Sequence, residues 1–254
     1  MTELGGTRAL VTGATSGLGL AMARALADAG ARVVVTSRDA ERADRVAADL
    51  GPDTLGLALD VRDEGAVAAG VAEAWERLEG IDLLVNNAGI GMRTVNPRFL
   101  SDPQPFWEVA PDGFRDVLET KVTGCFLTAR AVVPLMLEQG GGRIVTISMS
   151  ESTMVRRGYA PYGPSGAAVE AMSRVMAADL ADTPVTVNML LPGGPTDTGM
   201  VPEEVPAETR ERLLDPAIMG APIVWLASPA AAGVHDQRIV AAEFEDWLAG
   251  RDRD

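Results

Sequence analysis

The stretch that decides the fold is Thr12-Gly13-Ala14-Thr15-Ser16-Gly17-Leu18-Gly19, which follows the short apolar run Ala9–Thr12. A helical pattern begins directly after this stretch and ends at Gly30. Glycines let the backbone approach a ligand closely, and the helix N-terminus presents free N–H groups that suit a phosphate. A glycine-rich turn between a strand and a helix therefore predicts a dinucleotide site, formed by Gly13, Ser16, Gly17, Leu18 and Gly19.

Apolar runs and helical patterns alternate along the rest of the chain. The predicted strands are Ala9–Thr12, Arg32–Thr36, Thr54–Leu59, Ile81–Val85, Arg143–Ser148, Val185–Leu190 and Arg238–Val240. The predicted helices after the first are Glu64–Leu78, Asp112–Glu138, Pro161–Leu180 and Pro216–Ala227. This alternation predicts an α/β fold, in which one doubly wound domain spans residues 1–254 and helices cover both faces of a parallel sheet. Residues 193–215 are rich in Pro, Gly and charge, and we expect them to form a substrate cap.

Composition excludes several classes of function. The 22 basic and 36 acidic residues give a formal charge of −14, which disfavours binding to nucleic acid or to an anionic membrane. A single cysteine and a single histidine exclude a disulfide framework and the common zinc motifs, so we expect no metal. No stretch resembles a secretory signal or a membrane span, which favours a cytoplasmic protein. The basic residues comprise 21 arginines and one lysine, Lys121.

The end of the second predicted strand indicates which cofactor is bound. A free ribose 2′-hydroxyl is usually met here by an acidic residue, whereas a 2′-phosphate is met by an arginine. The strand ends in Thr36-Ser37-Arg38, so a small neutral residue and an arginine stand at this point. Ser37 and Arg38 therefore favour NADP(H), with NAD(H) still possible.

Four further motifs stand in a familiar order: Leu59-Asp60, Asn86-Asn87-Ala88-Gly89, Tyr162 followed by Ser165, and Pro192-Gly193 after a strand. With the glycine-rich stretch, they resemble the short-chain dehydrogenase/reductase family over essentially the whole chain. The resemblance implies a one-domain Rossmann-like fold with seven parallel strands, NAD(P) chemistry on a small-molecule substrate, and homodimers or homotetramers. It also implies further cofactor contacts from Asp60, Val61, Asn87, Ala88, Gly89, Tyr162, Pro192, Gly193 and either Thr196 or Thr198.

The sequence departs from the family's catalytic group of Asn, Ser, Tyr and Lys. Tyr162 stands at the tyrosine position, which supplies or accepts a proton. The lysine position, four residues later, is Gly166; the serine position is Met149, and the asparagine position is Lys121.

We hypothesise that the only lysine has moved to a neighbouring family position. The Lys121 side chain is long enough to cross between adjacent helices, and Gly166 removes one obstructing side chain. The alternative is that Lys121 is an ordinary surface or interface lysine and that Gly166 is a simple loss. Ser150 is the better replacement for the missing serine, with Ser148 as the other candidate. The insertion Met92–Val109, which carries Phe106 and Trp107, and several methionines, among them Met149 and Met200, favour an apolar pocket.

Three functions fit the sequence. The leading one is an NADP(H)-dependent oxidoreductase that interconverts a carbonyl and an alcohol on a small, apolar metabolite, with Tyr162, Lys121 and Ser150 as catalytic residues. The second keeps the fold and the nucleotide but uses Tyr162 for elimination, cyclisation or isomerisation. The third is a catalytically silent nucleotide-binding protein.

Overall fold

A computed structural model describes residues 3–251 and contains a seven-stranded parallel sheet of order β3-β2-β1-β4-β5-β6-β7. The strands are β1 Arg8–Val11, β2 Arg32–Ser37, β3 Thr54–Ala58, β4 Leu83–Asn86, β5 Gly142–Ile147, β6 Val185–Leu191 and β7 Arg238–Val240. This is the predicted Rossmann-like α/β fold, and each of the seven predicted strands is present within three residues of its expected bounds.

Ten α-helices stand among the described residues. They are α1 Gly17–Asp28, α2 Ala40–Leu50, α3 Glu64–Leu78, α4 Pro111–Leu118, α5 Gly124–Gln139, α6 Glu151–Met154, α7 Tyr162–Asp179, α8 Ala207–Arg210, α9 Gly220–Ala227 and α10 Phe244–Arg251. The expected single helix Asp112–Glu138 is instead α4 and α5, joined by one π-helical turn over Glu119–Thr123. Sequence periodicity did not identify α2 and α10, nor the one-turn helices α6 and α8.

The β-branched residues of the strands divide between two cores. In β2, Val33 and Val35 face one core while Val34 faces the other. Successive side chains of a strand point to opposite faces of the sheet, so a strand buried on both faces has no polar alternation. This is why Arg32–Thr36 is an unbroken apolar run with a polar residue only at each end.

Helices cover both faces of the sheet. Met22 of α1, Ile223 of α9 and Phe244 of α10 are buried in the first core. Val71 of α3 and Val132 of α5 are buried in the second. The helical run Pro111–Gln139 is long and apolar enough to cross a membrane by length and composition, with a mean hydropathy of 1.2. Because α5 packs against the sheet in the second core, its apolar residues are those of a core helix.

The order of the strands positions the ligand site. The chain runs outward from β1 to β3 and then crosses back to β4, so β1 lies between β2 and β4. At this reversal, the connections after β1 and β4 leave on opposite faces and open a crevice beyond the strand ends. The glycine-rich stretch 12–19 follows β1, and Asn87-Ala88-Gly89 follows β4.

Replacing Gly124 with alanine tests how closely α5 approaches the sheet edge. A Cβ at this position would lie 2.6 Å from Val61 Cγ2 and 2.9 Å from Val61 Cβ. We expect Gly124→Ala to lower the free energy of unfolding by about 1–3 kcal/mol in urea titrations, because a well-packed core resists an added methyl group. Gly250→Ala in α10 is the control, since nothing lies within 4 Å of its Cβ. An equal loss in both variants would contradict the close approach.

Candidate active site

The glycine-rich turn is shaped by close backbone contacts. Gly13 has a φ of +62°, and a Cβ there would lie 2.9 Å from Ala88 Cα. Gly17 has a φ of +55°, and its Cβ would lie 3.3 Å from Thr198 Cβ. A Cβ on Gly19 would collide with the Asn87 side chain. These three positions therefore require glycine, because a side chain at any of them would fill the space above the turn. We call this turn, residues 12–19, the glycine cradle.

Asn87 holds this turn against the end of β4. Its Nδ2 donates to the carbonyl oxygens of Thr12 at 2.9 Å and Gly13 at 3.0 Å. Its backbone N–H and that of Ala88 both donate to Thr12 Oγ1 at 3.0 Å. The side chain of Asn87 therefore positions the cradle, and its amide is satisfied by the protein itself.

The residues expected near the adenosine end lie beside β2 and β3. Ser37 Oγ accepts from the Asp39 N–H, and Arg38 is exposed. Asp60 pairs with Arg62 at 2.7 Å; this pairing lowers the pKa of Asp60, and the nearby Arg38 lowers it further. Arg42 donates to the Thr15 carbonyl at 3.3 Å, which puts a second cation beside the glycine-rich turn. Sequence reasoning missed Arg42 because it lies in the unrecognised helix α2.

Lys121 and Tyr162 lie close together in the structure. Lys121 Nζ lies 5.2 Å from the centroid of the Tyr162 ring. Carbons of its stem lie within 4.0 Å of the place a Cβ would take on Gly89, so the side chain runs along the end of β4. Lys121 sits in the π-helical turn, a backbone form that is frequent at functional sites. The π turn and the long side chain together bring the ammonium over the face of the Tyr162 ring.

Burial moves both groups towards their neutral forms. It lowers the pKa of Lys121 from 10.5 to about 8, although Cys125 and Glu170 partly oppose this change. Burial also raises the pKa of Tyr162 from 10.0 to about 12, and Tyr159 adds to the increase. At neutral pH the phenol is therefore protonated, and the lysine is mostly charged but able to lose its proton.

The space beside Gly166 is taken by Met149 rather than by Lys121. A Cβ on Gly166 would lie 2.7 Å from Met149 Sδ and 2.8 Å from its Cε. The glycine at the family's lysine position and the methionine at its serine position are therefore complementary in shape. Lys121 reaches Tyr162 from its own helix and does not need the room that Gly166 leaves.

The two candidate serines have different partners. Ser148 is buried and donates to Glu170 Oε1 at 2.6 Å, and Arg238 Nε donates to the same oxygen at 2.9 Å. Ser150 is half-buried, and its Oγ lies 2.8 Å from Thr153 Oγ1. The Ser148 hydroxyl is thus occupied by its hydrogen bond to Glu170. The Ser150 hydroxyl bonds only to other hydroxyls, which a substrate oxygen could replace. Glu170 and Arg238 carried no motif, so the sequence did not single them out.

The segment 193–215 lies against the site. Tyr162 Oη lies 3.8 Å from Met200 Sδ, and Arg93 donates to the Gly199 carbonyl at 2.8 Å. Of the two candidate threonines, Thr198 touches the glycine-rich turn, whereas Thr196 Oγ1 donates to the Gly194 carbonyl. Pro192 is buried and Gly193 has a φ of +98°, so this segment leaves β6 through a turn that requires glycine.

The insertion after β4 only partly lines the pocket. Met92, Phe99 and Tyr159 form a small buried cluster, and the ring centroids of Tyr159 and Tyr162 are 6.5 Å apart. Phe106 and Trp107 are 73% and 72% exposed. The expectation that these two aromatic residues line the pocket is therefore wrong: their rings pack on each other, at the surface.

Comparison with known proteins identifies the family. Residues 7–209 match the family model described as short chain dehydrogenase. The chain belongs to the short-chain dehydrogenase/reductase family. It is 37% identical over 196 residues to a gluconate 5-dehydrogenase of Gluconobacter oxydans, covering 75% of this chain and 72% of that protein.

Two solved structures support the same assignment. One is a 3-ketoacyl-(acyl-carrier-protein) reductase from Brucella melitensis complexed with NADH, with a TM-score of 0.81 and 30% identity over 94% of this chain and 97% of that one. The other is a short chain dehydrogenase from Burkholderia cenocepacia in complex with NADP, with a TM-score of 0.80, 28% identity and the same coverage. The family uses NAD(P)H, and these two members bind different forms of it.

Replacing Lys121 with methionine is expected to stabilise the fold. Because burial lowers the pKa of Lys121 to about 8, the charged form is less stable in the folded chain than in the unfolded one. At pH 7 we expect Lys121→Met to raise the free energy of unfolding by on the order of 1–2 kcal/mol, measured by urea titration. The gain should shrink as the pH rises from about 8 towards 10.5, where the folded wild type has already lost the proton.

The matched control for this experiment is Arg130→Met. Arg130 is an exposed cation on α5 that pairs with Glu64 at 2.6 Å, so its loss should change stability by less than about 1 kcal/mol. A destabilised Lys121→Met protein, or a gain independent of pH, would show that Lys121 is not held in a desolvated position.

Proposed function

We propose that this protein is an NADP(H)-dependent oxidoreductase that interconverts a carbonyl and an alcohol on a small, apolar metabolite. The observation that carries the proposal is the position of Lys121 Nζ, 5.2 Å from the centre of the Tyr162 ring. This ammonium restores, from the asparagine position, the cation that is missing at Gly166. The glycine cradle and the family membership support the nucleotide half of the proposal.

Tyr162 handles the proton and Lys121 adjusts its release. Since the phenol remains protonated at neutral pH, it is suited to donate a proton to a carbonyl oxygen. As negative charge develops on the phenol oxygen, the Lys121 ammonium stabilises it by Coulomb attraction in a poorly solvated site. Ser150 supplies the second hydrogen bond to the substrate oxygen. These roles favour the reductive direction.

The cofactor would be held by the residues of the cradle and its surroundings. When bound, it supplies or accepts the hydride. The phosphates would be held by Gly13, Ser16, Gly17, Leu18 and Gly19, and the adenosine ribose by Asn87, Ala88 and Gly89. The adenine would be held by Asp60 and Val61, and the nicotinamide end by Tyr162, Pro192, Gly193 and Thr198. Arg38 and Arg42 give the adenosine end two cations, which suit a 2′-phosphate.

Apolar side chains define the substrate side. Tyr159 and Met200 lie beside Tyr162, and Met149 lies against Gly166 one helical turn further along α7. Their thioethers and aromatic face offer few hydrogen bonds. Exposed Phe114 and Phe126 on α4 and α5 support self-association as a homodimer or homotetramer.

Cofactor preference is tested by thermal protection. We expect NADPH to raise the unfolding temperature more than NADH at equal concentration, because only NADPH presents a ribose 2′-phosphate to Arg38. A ligand at about 100 times its Kd adds about 2.7 kcal/mol to the free energy of unfolding. Arg38→Ala should remove this preference. Arg45→Ala is the control, because Arg45 is an exposed cation on α2 that pairs with Glu41 within its own helix. Stronger protection by NADH in the wild type would contradict the assignment.

Turnover tests the catalytic pair. With NADPH and a panel of apolar ketones and aldehydes, we expect Tyr162→Phe to lower kcat about 10²-fold or more, as for loss of a general acid. Lys121→Met should lower kcat about tenfold or more, while Arg130→Met should not change it. In the wild type, reduction should slow as the pH rises through about 8, where Lys121 loses its charge. Unchanged turnover in Lys121→Met would contradict the catalytic role assigned to this lysine.

The same assay separates the competing functions. Protection by NADPH without any change in absorbance across the panel would favour the non-redox enzyme that uses Tyr162. The replacement of the family's serine by buried Met149 is the observation that keeps this second function in view. If NADPH protects the protein but neither redox turnover nor elimination, cyclisation or isomerisation is detected, a catalytically silent nucleotide-binding protein would be favoured.

A further inference from the structure

A small cavity lies behind Lys121, between α5 and the ends of β1, β4 and β5. Its volume is about 10 Å³, and polar side chains of Thr12, Asn86, Lys121 and Thr146 line it together with Cys125. A space of this size holds about one water molecule if two or more polar groups face it. Among the described residues, no carboxylate lies within ion-pair distance of the Lys121 ammonium. A water molecule in the cavity could therefore serve as its hydrogen-bond partner.

The Thr128 hydroxyl determines which end of the Asn86 side chain faces this cavity. Thr128 Oγ1 lies 2.6 Å from Asn86 Oδ1, 2.8 Å from the Gly124 carbonyl oxygen and 3.2 Å from the Cys125 carbonyl oxygen. A hydroxyl has one hydrogen, so it donates to only one of these three oxygens. With the amide in this orientation, the buried Asn86 Nδ2 has no partner at all.

Rotating the carboxamide by 180° gives the Asn86 Nδ2 donor a partner in Thr128 Oγ1. Threonine in a helix commonly donates to the carbonyl four residues earlier, here that of Gly124. Thr128 Oγ1 then accepts from Asn86 Nδ2, and Asn86 Oδ1 turns towards the cavity. The unrotated amide would instead aim a donor at a cavity that already holds a lysine ammonium. The oxygen and nitrogen of an amide are distinguished only by such hydrogen-bond accounting.

We propose that Asn86 is a positioning residue for Lys121: its amide oxygen faces the cavity and binds the lysine ammonium through one buried water. The water accepts from Lys121 Nζ and donates to Asn86 Oδ1, and its second hydrogen points to Thr146 Oγ1. This bond to the charged form raises the proton affinity of Lys121 and offsets part of the desolvation. The inference deepens the proposed function, because it explains how the relocated ammonium stays charged near neutral pH.

A single lysine makes the test direct. Protein labelled with ¹³C at the lysine Cε gives one lysine resonance, whose chemical shift against pH reports the titration of Lys121 alone. Asn86→Leu keeps the size of the side chain and removes both polar ends. We expect this variant to bind the Lys121 proton roughly tenfold more weakly, a lowering of the pKa by about one unit. If the amide nitrogen faced the cavity, the same change would raise the pKa of Lys121 or leave it unaltered, and the proposal would be overturned.

Two further measurements separate this effect from a general disturbance. Thr54→Val is the matched control, because Thr54 Oγ1 is another buried atom without a partner and lies on β3, away from the site. It should leave the titration of Lys121 unchanged, and an equal shift there would overturn the specific role of Asn86. Should Asn86→Leu fail to fold, a crystal structure of the wild type decides: a water bridging Lys121 Nζ and Asn86 supports the proposal, and a dry cavity refutes it.

The titration is independent of turnover. If Lys121→Met retained full activity, the proposed catalytic role would fail while the effect of Asn86 on the pKa of Lys121 would still stand. Conversely, the turnover assays could give the expected results while Asn86→Leu leaves the pKa of Lys121 unchanged. The proposed function would then stand, and the role of Asn86 would be refuted.

Discussion

The Thr12 hydroxyl accepts hydrogen bonds from the backbone N–H groups of Asn87 and Ala88, so the ends of β1 and β4 lie at a common level. The same oxygen lies 3.2 Å from the Val85 carbonyl, to which it donates. The glycine cradle follows from this junction, since Gly13 can approach Ala88 only where the two strands end together. The position of Lys121 also follows from it, because the stem of the lysine runs past Gly89, two residues beyond Asn87.

Beyond this junction, Lys121 and Tyr162 are two poorly solvated groups that share one environment. The Lys121 ammonium is destabilised by burial, and so is the anionic form of Tyr162. The two charged forms would stabilise each other, and the proposed release of the Tyr162 proton depends on this attraction. The fold tolerates this arrangement because its two apolar cores supply stability far from the site.

The proposed relocation of the cation involves side-chain packing as well as electrostatics. The missing lysine at Gly166 leaves a gap that Met149 fills, and Met149 occupies the position of the missing serine. Its carbonyl oxygen accepts a hydrogen bond from Arg238, which is itself paired with half-buried Glu170. Two departures from the family pattern thus form one contact, whereas the third, Lys121, lies over the Tyr162 ring.

The sequence by itself determined the fold, the seven strands and the identity of the residues that differ from the family, because unbroken apolar runs and glycine-rich turns have few alternative structures. It also marked Lys121, since one lysine in 254 residues fell on a motif position. Only the tertiary structure decided that Lys121 reaches Tyr162, that Met149 rather than Lys121 fills the space at Gly166, and that Phe106 and Trp107 face away from the pocket. The reason is that helix crossing, the π turn and the direction of a side chain depend on contacts between residues far apart in the chain, which local patterns do not encode.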